Sequence, residues 1–205
     1  EPANHRSVKF THGEAPDIAP TWSPDGRAIA FSSKRGARYE IYTKAVDVVT
    51  PETLLAGPEG DKIVEDWSSD GSSLVSTFPR NGLWISPVKD AARPRLFRPT
   101  EHSERWLAEF SPDGQWIAYT SFESSPPEVF VEPVARSGAR YQVSTRGGTE
   151  PHWRANGREL FYMTSAYAVA AAAVTPGETL TFRSPVTPFP QPRPTSATTR
   201  SQHFL

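Results

Sequence analysis

The chain contains no cysteine, which excludes a disulfide framework, a thiolate metal site and a catalytic thiol. No run of apolar residues approaches the roughly 20 needed for a membrane-spanning helix. The longest small apolar stretch, Ala166 to Val174, is mostly alanine and holds Tyr167. Charge of one sign is also lacking. Twenty-two basic and 23 acidic residues give a formal net charge of -1, which argues against a general nucleic-acid binder. No Gly-x-Ser-x-Gly nucleophile elbow, His-Arg-Asp, Asp-Phe-Gly or glycine-rich phosphate loop occurs.

Proline and tryptophan are plentiful, at 21 and 6 of 205 residues. Helices tolerate proline badly, whereas short strands joined by turns accommodate it. The tryptophans mark an internal repeat. Ala19-Pro20-Thr21-Trp22-Ser23-Pro24-Asp25-Gly26 aligns with Val64-Glu65-Asp66-Trp67-Ser68-Ser69-Asp70-Gly71. It aligns again with Leu107-Ala108-Glu109-Phe110-Ser111-Pro112-Asp113-Gly114, and with Glu150-Pro151-His152-Trp153-Arg154-Ala155-Asn156-Gly157. The aromatic anchors Trp22, Trp67, Phe110 and Trp153 stand 45, 43 and 43 residues apart. A fifth, decayed copy fits residues 197–205, with Ala197 in place of the aromatic.

Each copy predicts four strands. The first ends at the anchor. A Ser-Pro-Asp-Gly turn follows, in which proline presets φ, aspartate caps and glycine takes a positive φ. Ala28–Phe31, Leu74–Thr77, Trp116–Tyr119 and Glu159–Tyr162 are second strands. Glu40–Tyr42, Leu83–Ile85, Glu128–Val131 and Tyr167–Val174 are third strands. Glu52–Leu55, Arg95–Phe97 and Tyr141–Val143 are fourth strands. The alanines of 168–173 favour helix by propensity, but repeat phase assigns them to a strand. Four strands per 40 to 45 residues is the arithmetic of a β-propeller blade. The expected fold is all-β: a propeller of antiparallel four-stranded blades, about four complete, with partial blades at both ends. Residues 1–205 form a single propeller domain or a piece of one. Val8–Thr11 reads as an outer strand. Either the two ends complete a fifth blade or the chain is part of a larger ring, and the second is the expectation. A larger ring would leave two terminal faces open to self-association.

Trp22-Ser23-Pro24-Asp25-Gly26-Arg27-Ala28-Ile29-Ala30-Phe31-Ser32-Ser33, followed by Glu40-Ile41-Tyr42, resembles the TolB-type propeller repeat. The match runs from about Val8 to Leu205. The second half, from Phe110-Ser111-Pro112-Asp113-Gly114 through Gly147-Gly148-Thr149-Glu150-Pro151-His152-Trp153, is similar to TolB-like propellers C-terminal to bacterial serine/threonine protein kinases. Departures at Ser69, Arg154 and Ala155 weaken single turns. The resemblance implies an extracytoplasmic or periplasmic sensor or scaffold. Some prolyl oligopeptidase-type serine peptidases carry similar repeats, so the alternative is the propeller part of a larger enzyme, such a peptidase or a metal-dependent lyase whose channel does the chemistry.

Asp25, Asp70 and Asp113 recur at one phase, and turn capping explains them better than metal ligation. The anchors read as inter-blade core rather than stacking platforms. The proline-rich stretch 185–194 reads as an extended connection rather than a recognition motif. Five scattered histidines show no metal-ligand spacing. No catalytic residue, metal or cofactor is expected. The expected ligand site is the channel mouth: Asp61, Lys62, Glu65, His102, Glu104, Arg105, Glu150 and His152, which lie on or just before innermost strands. Its expected partner is a protein or small molecule, not nucleic acid.

Overall fold

The computed structural model describes residues 9–11, 13–47, 50–55, 57, 59–89, 93–99, 107–135, 139–175, 180–183 and 186–189. All regular structure in these residues is β. Four antiparallel sheets follow one another along the chain. Blade 1 comprises β1 (Asp17–Trp22), β2 (Ala28–Ser33), β3 (Glu40–Ala45) and β4 (Thr53–Leu54). Blade 2 comprises β5 (Ile63–Trp67), β6 (Ser73–Phe78), β7 (Gly82–Pro87) and β8 (Arg95–Arg98). Blade 3 comprises β9 (Glu109–Phe110), β10 (Trp116–Ser121), β11 (Glu128–Pro133) and β12 (Tyr141–Gln142). Blade 4 comprises β13 (Gly148–Trp153), β14 (Glu159–Thr164), β15 (Val169–Thr175) and β16 (Thr181–Phe182), with β17 (Val186–Phe189) also paired to β15. The first strands β1, β5, β9 and β13 neighbour one another in chain order, so they form the inner wall.

The turn chemistry is as the sequence predicts. Gly26, Gly71, Gly114 and Gly157 have φ of 69°, 72°, 69° and 69°. The Ser111 hydroxyl donates to Asp113 at 2.5 Å and accepts the Trp116 amide at 2.9 Å, while Asp113 accepts the Gln115 amide at 3.0 Å. Ser23 with Asp25, and Ser68 with Asp70, repeat this arrangement. The hydroxyl bond, then the backbone amide, holds the Asp25 carboxyl below its usual range. In blade 4 Asn156 takes the aspartate's place and accepts the Arg158 amide at 3.0 Å. Arg154, standing for serine, pairs its side chain with Glu159 instead, and the turn survives.

The alanine run is a strand, because cross-strand pairing with β14 satisfies its backbone from Glu159↔Ala173 to Met163↔Val169. It begins at Val169 rather than Tyr167. Tyr167 sits in the preceding turn with φ 58° and donates its amide to the Thr164 carbonyl at 2.9 Å. The decayed fifth copy lies outside the described residues, as do Val8, Pro185, Pro190, Pro192 and Pro194.

Each of the three apolar clusters joins consecutive blades. Trp67 packs with Ala30 and Ile41 of blade 1. Phe110 packs with Val75 and Ile85 of blade 2, and Trp153 with Ala118 and Val129 of blade 3. These three anchors are buried. Trp22 differs: it is 57% exposed, since among the described residues no blade lies against its side of blade 1.

Polar stitches accompany the apolar wedges. The Val64 amide donates to Ser32 Oγ at 2.9 Å, and the Glu150 amide to Thr120 Oγ1 at 3.1 Å. In both cases the donor lies three residues before one anchor and the hydroxyl ten residues after the previous anchor. Such bonds satisfy inner-strand amides that would otherwise be orphaned.

Candidate functional site

Strand alternation turns the anchors into the blade interfaces and leaves the residues beside them for the channel wall. The residue immediately before each anchor is Thr21, Asp66, Glu109 or His152. The last three share a cleft of about 500 Å³ with Glu65 and Glu150, floored by Leu107, Ala108 and Pro151. Its described lining holds four carboxylates and one imidazole, with neither lysine nor arginine.

Two of the carboxylates also hold the fold together. Asp66 Oδ2 accepts the Phe110 amide at 2.8 Å, and Glu109 Oε2 accepts the Trp153 amide at 3.3 Å. Burial pushes the Asp66 carboxyl up to about 6. Burial, together with the nearby Asp66 charge, pushes Glu109 up to about 8. His152 Nδ1 lies 2.9 Å from Glu109 Oε2, and its side chain is 75% exposed. Glu65 accepts the Thr77 hydroxyl at 2.7 Å. Glu150, exposed, has φ 54°, and Leu107 at the same repeat position has φ 46°. A left-handed backbone at non-glycine residues is uncommon and aims side chains away from the regular pleat. The inner strand β13 carries a register shift there, between Thr149 and His152.

Of the residues expected at the channel mouth, Glu65, Glu150 and His152 come together in this cleft. Asp61 and Lys62 do not. Asp61 accepts the Tyr39 amide at 2.8 Å. The Lys62 ammonium is buried between blades 1 and 2, paired with Glu40 and 5.8 Å from the centre of the Phe78 ring. Its reach across a blade boundary removes it from the channel. His102, Glu104 and Arg105 lie outside the described residues. Asp66 and Glu109 were not expected at the site. Their signal is a polar residue directly before an apolar anchor, repeated in phase. Among the described residues, no group of three or more His, Asp or Glu is arranged to hold a metal ion. No helix among them is long and apolar enough to cross a membrane.

The chain matches no protein-family model. It is 35% identical to the Tol-Pal system protein TolB of Alcanivorax borkumensis over 38% of this chain and 18% of that protein. It is 40% identical to the uncharacterized peptidase YuxL of Bacillus subtilis over 61% of this chain and 26% of that protein. The chain therefore spans about a quarter or less of these relatives. Among solved structures it superposes on TolB from Acinetobacter baumannii with a TM-score of 0.67 and 20% identity, over 83% of this chain and 44% of that one. These similarities support a TolB-like β-propeller fold for the four blades.

Proposed function

We propose that the chain is a non-catalytic binding module, whose ligand docks in the cleft formed by β5, the segment around β9, and β13. One observation carries this reading: Glu65, Asp66, Glu109, Glu150 and His152 converge from three blades on one concave site. Convergence of this kind supplies recognition without requiring a reactive group. The lining selects a ligand bearing positive charge or N–H donors, and a basic segment of a protein has that chemistry. Titration calorimetry of the chain with a short lysine-rich peptide tests this, with a glutamate-rich peptide as control. Binding of the basic peptide, lost in Glu65→Gln/Glu150→Gln, is the expected result. A stoichiometric transition metal that copurifies and is lost in His152→Ala would contradict it and support metal-dependent lyase or hydrolase chemistry in the channel.

An extracytoplasmic or periplasmic setting is part of the proposal, supported by similarity to a Tol-Pal system protein. The sensor or scaffold part of a receptor-type kinase is the role that the repeat resemblance supports. Similarity to YuxL favours a second reading, the propeller part of a larger peptidase. The full reading frame separates the two. A kinase catalytic loop in that frame supports the first, and a Gly-x-Ser-x-Gly elbow followed by Asp and His supports the second.

A further inference from the structure

Blade 4 departs from the other three at one cross-strand pair. At the same place in each repeat, Phe31 pairs with Tyr42, Ser76 with Trp84, Tyr119 with Phe130, and Tyr162 with Ala170. The first three third-strand partners are aromatic. Phe31 and Tyr42 stack with ring centres 6.1 Å apart, and Tyr119 and Phe130 do so at 6.2 Å. An arginine caps each stack: Arg35 lies 4.0 Å from the centre of the Tyr42 ring, and Arg140 3.6 Å from that of Phe130. Blade 4 keeps the second-strand ring, Tyr162, and has alanine in place of the third-strand ring.

A cleft of about 500 Å³ lies at this place, between the hairpin of β14 and β15 and the connection from blade 3. Ala168 and Ala170 line it with Tyr162, Thr164, Ser165 and Arg146. Gly148 lets the Tyr162 ring sit there, since a Cβ would come within 3.0 Å of Tyr162 Cδ2 and 2.7 Å of Ser144 Cβ.

The lining also lacks the carboxylate found in blades 1 and 3. Ala168, whose carbonyl accepts the Thr164 amide at 2.8 Å, stands where those blades carry Glu40 and Glu128 across from Ser33 and Ser121. Among the described residues no carboxylate lines the cleft, and none forms an ion pair with Arg146. Glu128 lies near Tyr162, but it is buried, and its oxygens accept the Ser144 hydroxyl and, at 3.0 Å, the Gly147 amide. Thr164 Oγ1 accepts the Ala168 amide at 3.2 Å, which leaves its own proton to donate. Burial pushes the Tyr162 hydroxyl above its usual range, so the ring stays neutral beside an anion.

We infer that this cleft binds a small aromatic carboxylic acid. Its ring takes the place that Tyr42 and Phe130 fill in blades 1 and 3, stacked on Tyr162, and its carboxylate pairs with Arg146. Ring and charge act together, because an exposed arginine holds a lone anion only weakly in water. The inference does not rest on the channel reading, since the two clefts share no lining residue.

Amide NMR titration of the chain with benzoate tests it. Acetate and benzamide are the controls, the first without a ring and the second without a charge. N-acetylphenylalanine carries ring and carboxylate as the end of a peptide would, so the tighter of it and benzoate assigns the source as a chain terminus or a free acid. Saturable shifts at residues 145–147 and 162–170 are expected with a ring-bearing acid, with roughly tenfold weaker binding of acetate and benzamide. Arg146→Ala, at an exposed position, is expected to weaken binding by about the same factor. Ala170→Phe restores the ring of blades 1 and 3 and is expected to abolish binding. Ala168→Glu, which restores their carboxylate, does the same by repulsion. Thermal melting verifies that each variant is folded, and Arg146→Ala decides the matter if Ala170→Phe is not. Absence of these shifts with both ring-bearing acids, acetate or benzamide bound as tightly as benzoate, or undiminished binding in Arg146→Ala overturns the inference.

Discussion

Phe110 donates its backbone amide to the Asp66 carboxylate at 2.8 Å, across the boundary between blades 2 and 3. The same relation links Trp153 to Glu109 one blade later. The wall of the channel is thus made of groups that stitch the propeller together. The candidate site and the fold share atoms.

This sharing has a pH dependence. Glu109 is held up to about 8 and Asp66 up to about 6, both above their ordinary values. A carboxyl raised on folding binds its proton more tightly in the native state. Its contribution is present at low pH and is lost as pH rises from the unfolded value through the folded one. For Glu109 that window runs from 4.5 to about 8. Glu109→Gln keeps an oxygen for the Trp153 amide and removes the buried charge. The variant is expected to gain on the order of 1 kcal/mol over wild type at pH 9, and little at pH 4. Urea unfolding at the two pH values measures this, and an equal effect at both would refute the charge argument.

The buried Lys62–Glu40 pair gives a second expectation. Glu40→Ala leaves an ammonium enclosed beside Phe78 without its counter-ion. Because Glu40 is about one-third exposed, the loss is expected at the lower end of buried-pair values, on the order of 1–3 kcal/mol. Lys62→Met, which replaces the ammonium with an apolar group of similar length, is expected to cost less. Thermal melting of the two variants decides the order, and a larger loss in Lys62→Met would contradict it.

Turn strain gives a third. Gly114 has φ 69°, and a Cβ there would meet only the Ser69 hydroxyl at 3.6 Å. Space is therefore not the obstacle, and backbone conformation is. Gly114→Val is expected to lose on the order of 1–3 kcal/mol. An unchanged unfolding midpoint would show that the residue leaves the left-handed region without cost.

Much of this was legible in the residues. The Ser-Pro-Asp-Gly turns could be read because their chemistry is local: one hydroxyl, one carboxylate and one glycine within four positions. The alanine run 168–173 was resolved by phase, since propensity alone points to helix while backbone pairing to β14 decides the matter. Trp22 was expected in the core, but burial of an anchor depends on the preceding blade, which no local pattern reports. At the site, Glu65, Glu150 and His152 followed from their place on or just before the innermost strand. Asp66 and Glu109 stand directly before an anchor, but their role is a bond to an amide 44 residues away, which no local pattern shows. Lys62 was misplaced for a related reason: its long stem reaches Glu40, 22 residues earlier, rather than the channel.

Recognition of basic or N–H-donating groups by the acidic cleft of β5 and β13 is tested by titration calorimetry of the intact chain with a lysine-rich peptide. The expected result is saturable binding that weakens with added salt, is absent for a glutamate-rich peptide of equal length, and is abolished in Glu65→Gln/Glu150→Gln with the melting temperature unchanged. No heat of binding for the basic peptide, or equal binding of both peptides, would contradict it.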